Sequence, residues 1–296
     1  MKKTVIFGAG MAGEVICDYL GSDFFVVAFA DNDPGKQGSV IHGIPVLSPE
    51  ASLMTEPLYY VLGVLDEKRA SEMEAQLREL GWTGQVIHPV KQDAFDIRTA
   101  CMRKWAVRLS GEDGIHERVE GDCAELGVYR GEFAFHINAA FRDRKLHLFD
   151  TFEGFSESDL RTEKENGFSC AQTGEFSDTA QNQVWQMLPY REKAVMHKGY
   201  FPDTFTGFLE DGPFDRVRFA FVSLDADLYE PTVSGLRLFY PRLSPGGILM
   251  VHDYGSSRFR GVKKAVDEFC RKEEVEDLPV CDLHGSVILR KPAQNR

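Results

Sequence analysis

No stretch of this 296-residue chain is apolar for the roughly 20 residues that a bilayer-crossing helix needs, so a helical membrane protein is excluded. The basic start Met1-Lys2-Lys3 leads into Thr4-Val5-Ile6-Phe7, which stops at Gly8. That is too short for a secretory signal, and a cytoplasmic protein is expected. Basic charge is scarce as well: 34 Lys and Arg face 46 Asp and Glu, giving a net charge of −12. With no basic run interleaved with aromatics, a polyanion is repelled and nucleic acid is not an expected partner. The six cysteines (Cys17, Cys101, Cys123, Cys170, Cys270 and Cys281) show no CxxC or other metal-ligand spacing. A disulfide-stapled or zinc-ribbon scaffold is therefore excluded, and reduced thiols are expected. No short-period repeat occurs, which removes solenoids and propellers.

What remains is the composition of an ordinary folded protein, 43% hydrophobic and 27% charged, in a chain longer than the usual single domain. The expectation is an α/β protein of two Rossmann-like domains: residues 1–90, a linker 91–120 with a connecting helix over Ile97–Leu109, and a larger domain over 121–296. In the first, the apolar run Thr4–Phe7 meets Gly8-Ala9-Gly10-Met11-Ala12-Gly13 and then a helical stretch to Leu20, followed by a strand over Phe24–Ala30 that ends at Asp31-Asn32-Asp33-Pro34-Gly35. Strand, glycine turn, helix and strand make a βαβ unit. In the second, strands are expected at Cys123–Gly127, Lys145–Asp150, Arg216–Leu224 and Gly247–Val251. Helices are expected at Glu132–Phe141, Thr232–Tyr240 and Gly261–Arg271, with closing strand material at Val280–Leu289. The polar segment from Ser156 to Gln183 has little periodicity and reads as a long loop or lid.

A doubly wound sheet binds an adenosine-type cofactor outside the carboxyl ends of its strands, with glycines at the first exit and an acid at the second. Glu125-Leu126-Gly127-Val128-Tyr129-Arg130-Gly131 supplies the glycines, and Asp150 the acid that can accept hydrogen bonds from ribose hydroxyls. S-adenosylmethionine has no pyrophosphate to cradle, so the missing third glycine is compatible with it. Two further strands exit into Asp225-Ala226-Asp227 and His252-Asp253-Tyr254. Adjacent parallel strands share one exit edge, so Asp225, Asp227, His252 and Asp253 are expected to converge on one cleft. Carboxylates suit a hard cation such as Mg²⁺, and the imidazole suits either a ligand or a general base. His197 is a weaker candidate base. Tyr229 and Tyr254 either line the acceptor pocket or pack.

Five runs in order carry a family resemblance: Glu125–Gly131; Phe149-Asp150-Thr151-Phe152-Glu153-Gly154-Phe155; Gly199-Tyr200-Phe201-Pro202-Asp203-Thr204; Leu224–Thr232; and Tyr240–Gly247 with Asp253-Tyr254-Gly255. Over about Val119 to Phe269 the chain resembles the macrocin O-methyltransferases. The resemblance implies an S-adenosylmethionine-dependent O-methyltransferase acting on a sugar hydroxyl of a nucleotide-sugar, surface glycan or glycosylated metabolite, with Mg²⁺ assistance. It implies cofactor contacts at Glu125, Gly127, Tyr129, Gly131, Asp150, Thr151 and Phe152. It further implies metal ligands at Asp225, His252 and Asp253, and catalytic roles for Asp225 and His252. Where that family often carries two acids before the tyrosine, this sequence has His252-Asp253, which leaves the ligand set open.

In the first domain, Gly8, Gly10 and Gly13 form a full GxGxxG, and Asp31 follows Gly13 by eighteen residues. With Gly43-Ile44-Pro45-Val46-Leu47, the segment 2–88 resembles the N-terminal Rossmann-like domain of polysaccharide-biosynthesis enzymes. There it binds the nucleotide end of a nucleotide-sugar, which implies a site at Gly8, Gly10, Gly13, Asp31 and Asp33. The partner expected overall is a small sugar or nucleotide-sugar, and a homo-oligomer is left open. Two alternatives stand beside this reading. An NAD-dependent oxidoreductase of sugar metabolism leaves Asp150 and the Asp225–Asp253 cluster unexplained, and a non-catalytic nucleotide-binding module leaves the intact carboxylates without a use.

Overall fold

The structure is a computed structural model that describes all residues except 65–66, 89–95, 211–216, 257, 281, 283–284 and 294–296. Cys281 and the expected domain boundary at residue 90 lie outside the described residues. The chain divides into two compact units, Met1–Ala100 and Cys101–Arg296.

The first unit runs β1 (Lys2–Phe7), α1 (Met11–Tyr19), β2 (Phe24–Ala30), β3 (Val40–Ile41), β4 (Ile44–Leu47), α2 (Pro49–Leu53), β5 (Tyr59–Leu62), α3 (Glu67–Glu79) and β6 (Gln85–Ile87). Its sheet has the order β3-β4-β2-β1-β5-β6, parallel except for the β3–β4 hairpin. The unbroken apolar run of β1 is explained by burial on both faces. Ile6 packs with Ile16, Leu20 and Phe29 on one side, while Val5 and Phe7 pack with Tyr60, Leu62 and Leu77 on the other. Phe29 and Tyr60 are fully buried, so truncating either to alanine costs about 3–5 kcal/mol.

Helix α4 (Ile97–Ser110) starts in the first unit and continues into the second. Its entry is set by Asp96, whose carboxylate accepts from the Thr99 amide and hydroxyl. The second unit continues with β7 (Asp122–Leu126), α5 (Glu132–Ala140), β8 (Leu146–Asp150), α6 (Glu157–Asn166), α7 (Gln181–Met187), β9 (Ala194–Lys198) and α8 (Asp203–Glu210). It closes with β10 (Phe219–Leu224), α9 (Tyr229–Phe239), β11 (Leu243–Val251), α10 (Arg260–Glu273), β12 (Asp277–Pro279) and β13 (Val287–Arg290). The sheet order is β12-β13-β11-β10-β7-β8-β9, with β13 antiparallel to both its neighbours. The order reverses between β7 and β10, which places a ligand crevice at the exits of these two strands. Buried Arg144 fixes the entrance to β7 by donating to the carbonyls of Leu109, Val119 and Gly121.

Two expectations are corrected here. The segment Ser156–Gln183 is not a plain loop, because it contains α6 and the start of α7. Helix α6 turns the acids Asp159 and Glu163 inward instead of an apolar stripe, so hydrophobic periodicity could not reveal it. The closing strand material expected over Val280–Leu289 is found only from Val287 on, as β13, while β12 lies before it at Asp277–Pro279; ahead of β13, Asp282 accepts from the Ser286 amide and hydroxyl. No helix among the described residues is long and apolar enough to cross a membrane.

Candidate active site at the strand exits

Four backbone hydrogen bonds tie the exits of the second sheet together: Gly127 N to Phe149 O, Asp225 N to Leu126 O, His252 N to Leu224 O, and Gly199 N to Asp150 O, all 2.8–3.0 Å. The expected cofactor and metal residues therefore share one edge. The chain is unusually conformed there. Tyr129, Phe152, Asp227 and Asp253, one at each of four exits, hold φ between +48° and +60°. Left-handed backbone at non-glycine residues is costly, and it concentrates at functional sites.

On the cofactor side, β7 exits into Gly127, where a Cβ would sit 1.9 Å from the Asp225 carbonyl oxygen. Glycine is obligatory at this point. Gly131 is the left-handed residue that opens α5, and a Cβ there would meet Val184 of α7 at 2.8 Å. Asp150, at the end of β8, braces the turn: Oδ2 accepts from the amides of Val128 (2.7 Å) and Tyr129 (2.9 Å), and Oδ1 accepts from Phe152 (2.6 Å). Thr151 turns its hydroxyl back to the Gly154 carbonyl and accepts from the Glu153 amide. Glu125 is buried within β7, and Phe152 is buried beside the second turn.

Asp178 was not legible as a site residue. It accepts from the Tyr129 hydroxyl at 2.8 Å and forms an ion pair with Arg130, so the segment after α6 is fastened onto the glycine turn. The contact spans 49 residues of sequence and carries no periodic signal. The buried acids of α6 act similarly at two points: Asp159 accepts from the Tyr200 hydroxyl, and Glu163 from the Tyr229 amide, each at 2.8 Å. A sequence cue for that helix exists in Ser156, which caps it by accepting from the Asp159 amide, and in the left-handed Gly167 at its end.

On the other side of the crevice, His252 Nδ1 lies 2.9 Å from Asp225 Oδ1 and 3.1 Å from Asp253 Oδ2. One ligand atom from each of Asp225, His252 and Asp253 falls within 4.8 Å of the others. Burial pushes the Asp227 carboxyl well above the usual carboxylate range, and the charges of Asp225 and Asp253 push the same way. Burial acts on Asp253 too, but the hydrogen bond and charge of His252 outweigh it and hold that carboxyl below its ordinary value.

The remaining candidates have side-chain partners outside this cluster. His197 stacks on Phe149 at 4.3 Å and faces His147 Nδ1 at 3.1 Å, and burial with the charge of His147 lowers it to about 4. The Tyr229 hydroxyl donates to Glu268 and the Tyr254 hydroxyl to Asp267, both on α10.

The residues 100–291 match the family model Macrocin-O-methyltransferase (TylF). The chain belongs to that family. It is an S-adenosylmethionine-dependent methyltransferase. Among its relatives is the 8-demethyl-8-(2,3-dimethoxy-alpha-L-rhamnosyl)-tetracenomycin-C 4'-O-methyltransferase of Streptomyces olivaceus, 28% identical over 189 residues, which are 59% of this chain and 67% of the relative. Another is the mycinamicin III 3''-O-methyltransferase of Micromonospora griseorubida, 30% identical over 178 residues, 56% of this chain and 66% of the relative. The chain thus spans about two thirds of these relatives' lengths. The crystal structure of the calicheamicin methyltransferase CalS11 shares the fold, with a TM-score of 0.53 at 18% identity over 81% of this chain and 89% of that one.

The N-terminal glycine turn of this methyltransferase is satisfied largely from within. A Cβ on Gly13 would sit 1.9 Å from the Gly8 carbonyl oxygen, and one on Gly8 would sit 2.9 Å from that of Gly63. Asp31 accepts from the Ala9 amide (2.8 Å), the Asp33 amide (2.9 Å) and Lys36 Nζ (3.1 Å), while Asp33 closes its own turn onto the Gly35 amide. Gly10 alone has open space above it, with Lys36 Nζ its nearest neighbour at 3.9 Å.

Proposed function

We propose that this methyltransferase moves the methyl group of S-adenosylmethionine to a hydroxyl of a sugar, carried on a nucleotide or on a glycosylated metabolite. The observation that carries the reading is the Asp225–His252–Asp253 cluster, one crossover from the glycine turn on the same sheet edge. A rhamnosyl group in the name of the tetracenomycin relative supports the sugar class. The cofactor lies against Gly127, Tyr129 and Gly131, with Glu125, Thr151 and Phe152 around it. Asp150 meets the ribose through the acceptor capacity left on Oδ1, which takes one amide where Oδ2 takes two.

The reaction is an in-line displacement. The acceptor oxygen bonds to the methyl carbon as the carbon–sulfur bond breaks, its electron pair stays on sulfur, and the hydroxyl proton must leave. Asp225 and His252 are the groups at the cluster that can take that proton. Two carboxylates and an imidazole with their donor atoms this close fit a divalent cation, Mg²⁺ by family expectation. When bound, it would lower the pKa of the acceptor hydroxyl. A second reading draws on the same contacts, because an imidazole whose Nδ1 faces two carboxylates is oriented as a general base without any metal.

For the first unit, a nucleotide or nucleotide-sugar is held at Gly8, Gly10 and Gly13, with Asp31 or Asp33 at the sugar or base edge. Asp253→Asn tests the catalytic reading. Turnover should fall by on the order of a thousandfold, several kcal/mol of lost stabilisation, while the affinity for S-adenosylhomocysteine stays within about twofold. Full turnover by this variant in excess chelator would leave acid–base chemistry alone as the mechanism.

A further inference from the structure

We infer that the Asp225–His252–Asp253 centre selects a borderline first-row cation of the Fe²⁺, Co²⁺ or Zn²⁺ class over Mg²⁺. The inference rests on the metal-assisted reading above and concerns which ion the three side chains suit. Mg²⁺ takes oxygen ligands, keeps several of its waters and is held by carboxylates. An imidazole nitrogen instead favours ions further along the first transition row. In this centre the nitrogen is central. His252 Nδ1 is the atom within hydrogen-bond distance of both carboxylates, at 2.9 Å from Asp225 and 3.1 Å from Asp253. Ligand bonds of about 2.1 Å meeting at right angles separate neighbouring donors by about 3.0 Å, so the nitrogen already stands where a ligand next to each carboxylate would stand. An ion bonded to Asp225 Oδ1 and Asp253 Oδ2 therefore has His252 Nδ1 as a neighbour on both sides.

The backbone supports this placement. His252 donates its amide to the Leu224 carbonyl at 2.9 Å, which fixes it at the exit of β11 beside that of β10. Asp253 is 5% exposed and holds φ at +58°. His252 is 14% exposed at its side chain, so withdrawing the ring into solvent to leave an all-oxygen site requires moving both neighbours. The carboxylates supply charge to any divalent ion, while the imidazole supplies the discrimination.

The experiment uses the full chain, stripped with chelator and dialysed, and Co²⁺ and Mg²⁺ as probes. Calorimetric titration gives both affinities for the wild type and for His252→Asp, which restores an all-oxygen donor set. The expected result is a Co²⁺-over-Mg²⁺ preference that falls at least about tenfold in the variant, since Co²⁺ outranks Mg²⁺ to some degree in any site and only the change isolates the nitrogen. Proton NMR of the Co²⁺-loaded wild type needs no variant. It should show a far-shifted exchangeable imidazole N–H resonance, assigned by ¹⁵N-histidine labelling. An equal preference in both proteins, or saturated Co²⁺ without that resonance, overturns the inference while leaving a metal centre in place. Failure of both ions to bind at millimolar concentration overturns the inference together with the metal-assisted reading.

Discussion

Replacing Asp150 by asparagine separates what this carboxylate does for the fold from what it does for the cofactor. Its two oxygens hold three amides, those of Val128, Tyr129 and Phe152, at 2.6–2.9 Å. Asparagine keeps a single acceptor oxygen. If that oxygen serves Val128 and Tyr129, the NH₂ group faces the Phe152 N–H, donor against donor. One charge-assisted bond of about 1.5–3 kcal/mol is lost, and the two that survive weaken as the charge goes. A loss of about 3 kcal/mol is expected, and in a unit of this length it lowers the melting temperature of the second unit by about 6–12 °C. The ribose contact adds an independent effect, a weakening of S-adenosylhomocysteine binding by about 10- to 150-fold. Calorimetric melting of the ligand-free protein reads the first quantity, and isothermal titration well below the melting range reads the second. An unchanged melting temperature would refute the brace. An unchanged dissociation constant in a folded variant would refute the ribose contact.

Two further outcomes follow from groups away from the reacting atoms. Burial, with the charge of His147 adding to it, lowers His197 from 6.5 to about 4, so the unfolded chain binds the proton first. The second unit should keep this stability above pH 6.5 and lose it as pH falls from 6.5 toward 4. His197→Phe preserves the stack on Phe149 and should flatten that part of the urea-midpoint profile, and an unaltered profile would assign the pH dependence elsewhere. In the first unit, Gly13→Ala should destabilise the fold, with a Cβ 1.9 Å from a carbonyl oxygen, whereas Gly10→Ala should melt within about 1 °C of the wild type. Nucleotide binding detected by chemical-shift change and abolished by Gly10→Ala would support a phosphate at this turn, and binding undisturbed by it would place the ligand elsewhere.

The parts of this architecture that sequence made visible are those where one physical signal dominates. Largely apolar stretches ending at glycine or aspartate marked β1, β2, β8 and β10, and the strand over Phe24–Ala30 ends where expected. The convergence of Asp225, His252 and Asp253 was legible because parallel strands must exit on one edge. Less visible were elements whose stabilisation is polar or long-range. Helix α6 buries acids, β9 alternates weakly between apolar and polar residues, and α9 begins at Tyr229 instead of Thr232 because Glu163, 66 residues away, accepts from its first amide. The brace at Asp150 was expected to be a ribose contact, and its three amide bonds depend on turn geometry that no spacing rule encodes.

The two units repeat one device with different endings, and the difference bears on what each can do. In both, an acid at the end of the second strand accepts amides from the turn after the first: Asp31 from Ala9, and Asp150 from Val128 and Tyr129. In the first unit the acid then takes Lys36, and the turn after β1 relies on glycines; the described non-glycine residues at positive φ in this unit, His42 after β3 and Glu56 after α2, lie outside the turns that follow β1 and β2. In the second unit four such residues stand at four exits, each costing about 1–2 kcal/mol relative to relaxed backbone. Such a conformation persists only where its surroundings enforce it. Tyr129 and Phe152 are held by Asp150, and Asp253 is held by His252. An edge relaxed by glycine and closed by an internal ion pair suits a scaffold or a binding turn. An edge held out of relaxed geometry by crossed hydrogen bonds presents its acids at fixed positions before any ligand arrives, and methyl transfer, which depends on alignment, requires that fixity.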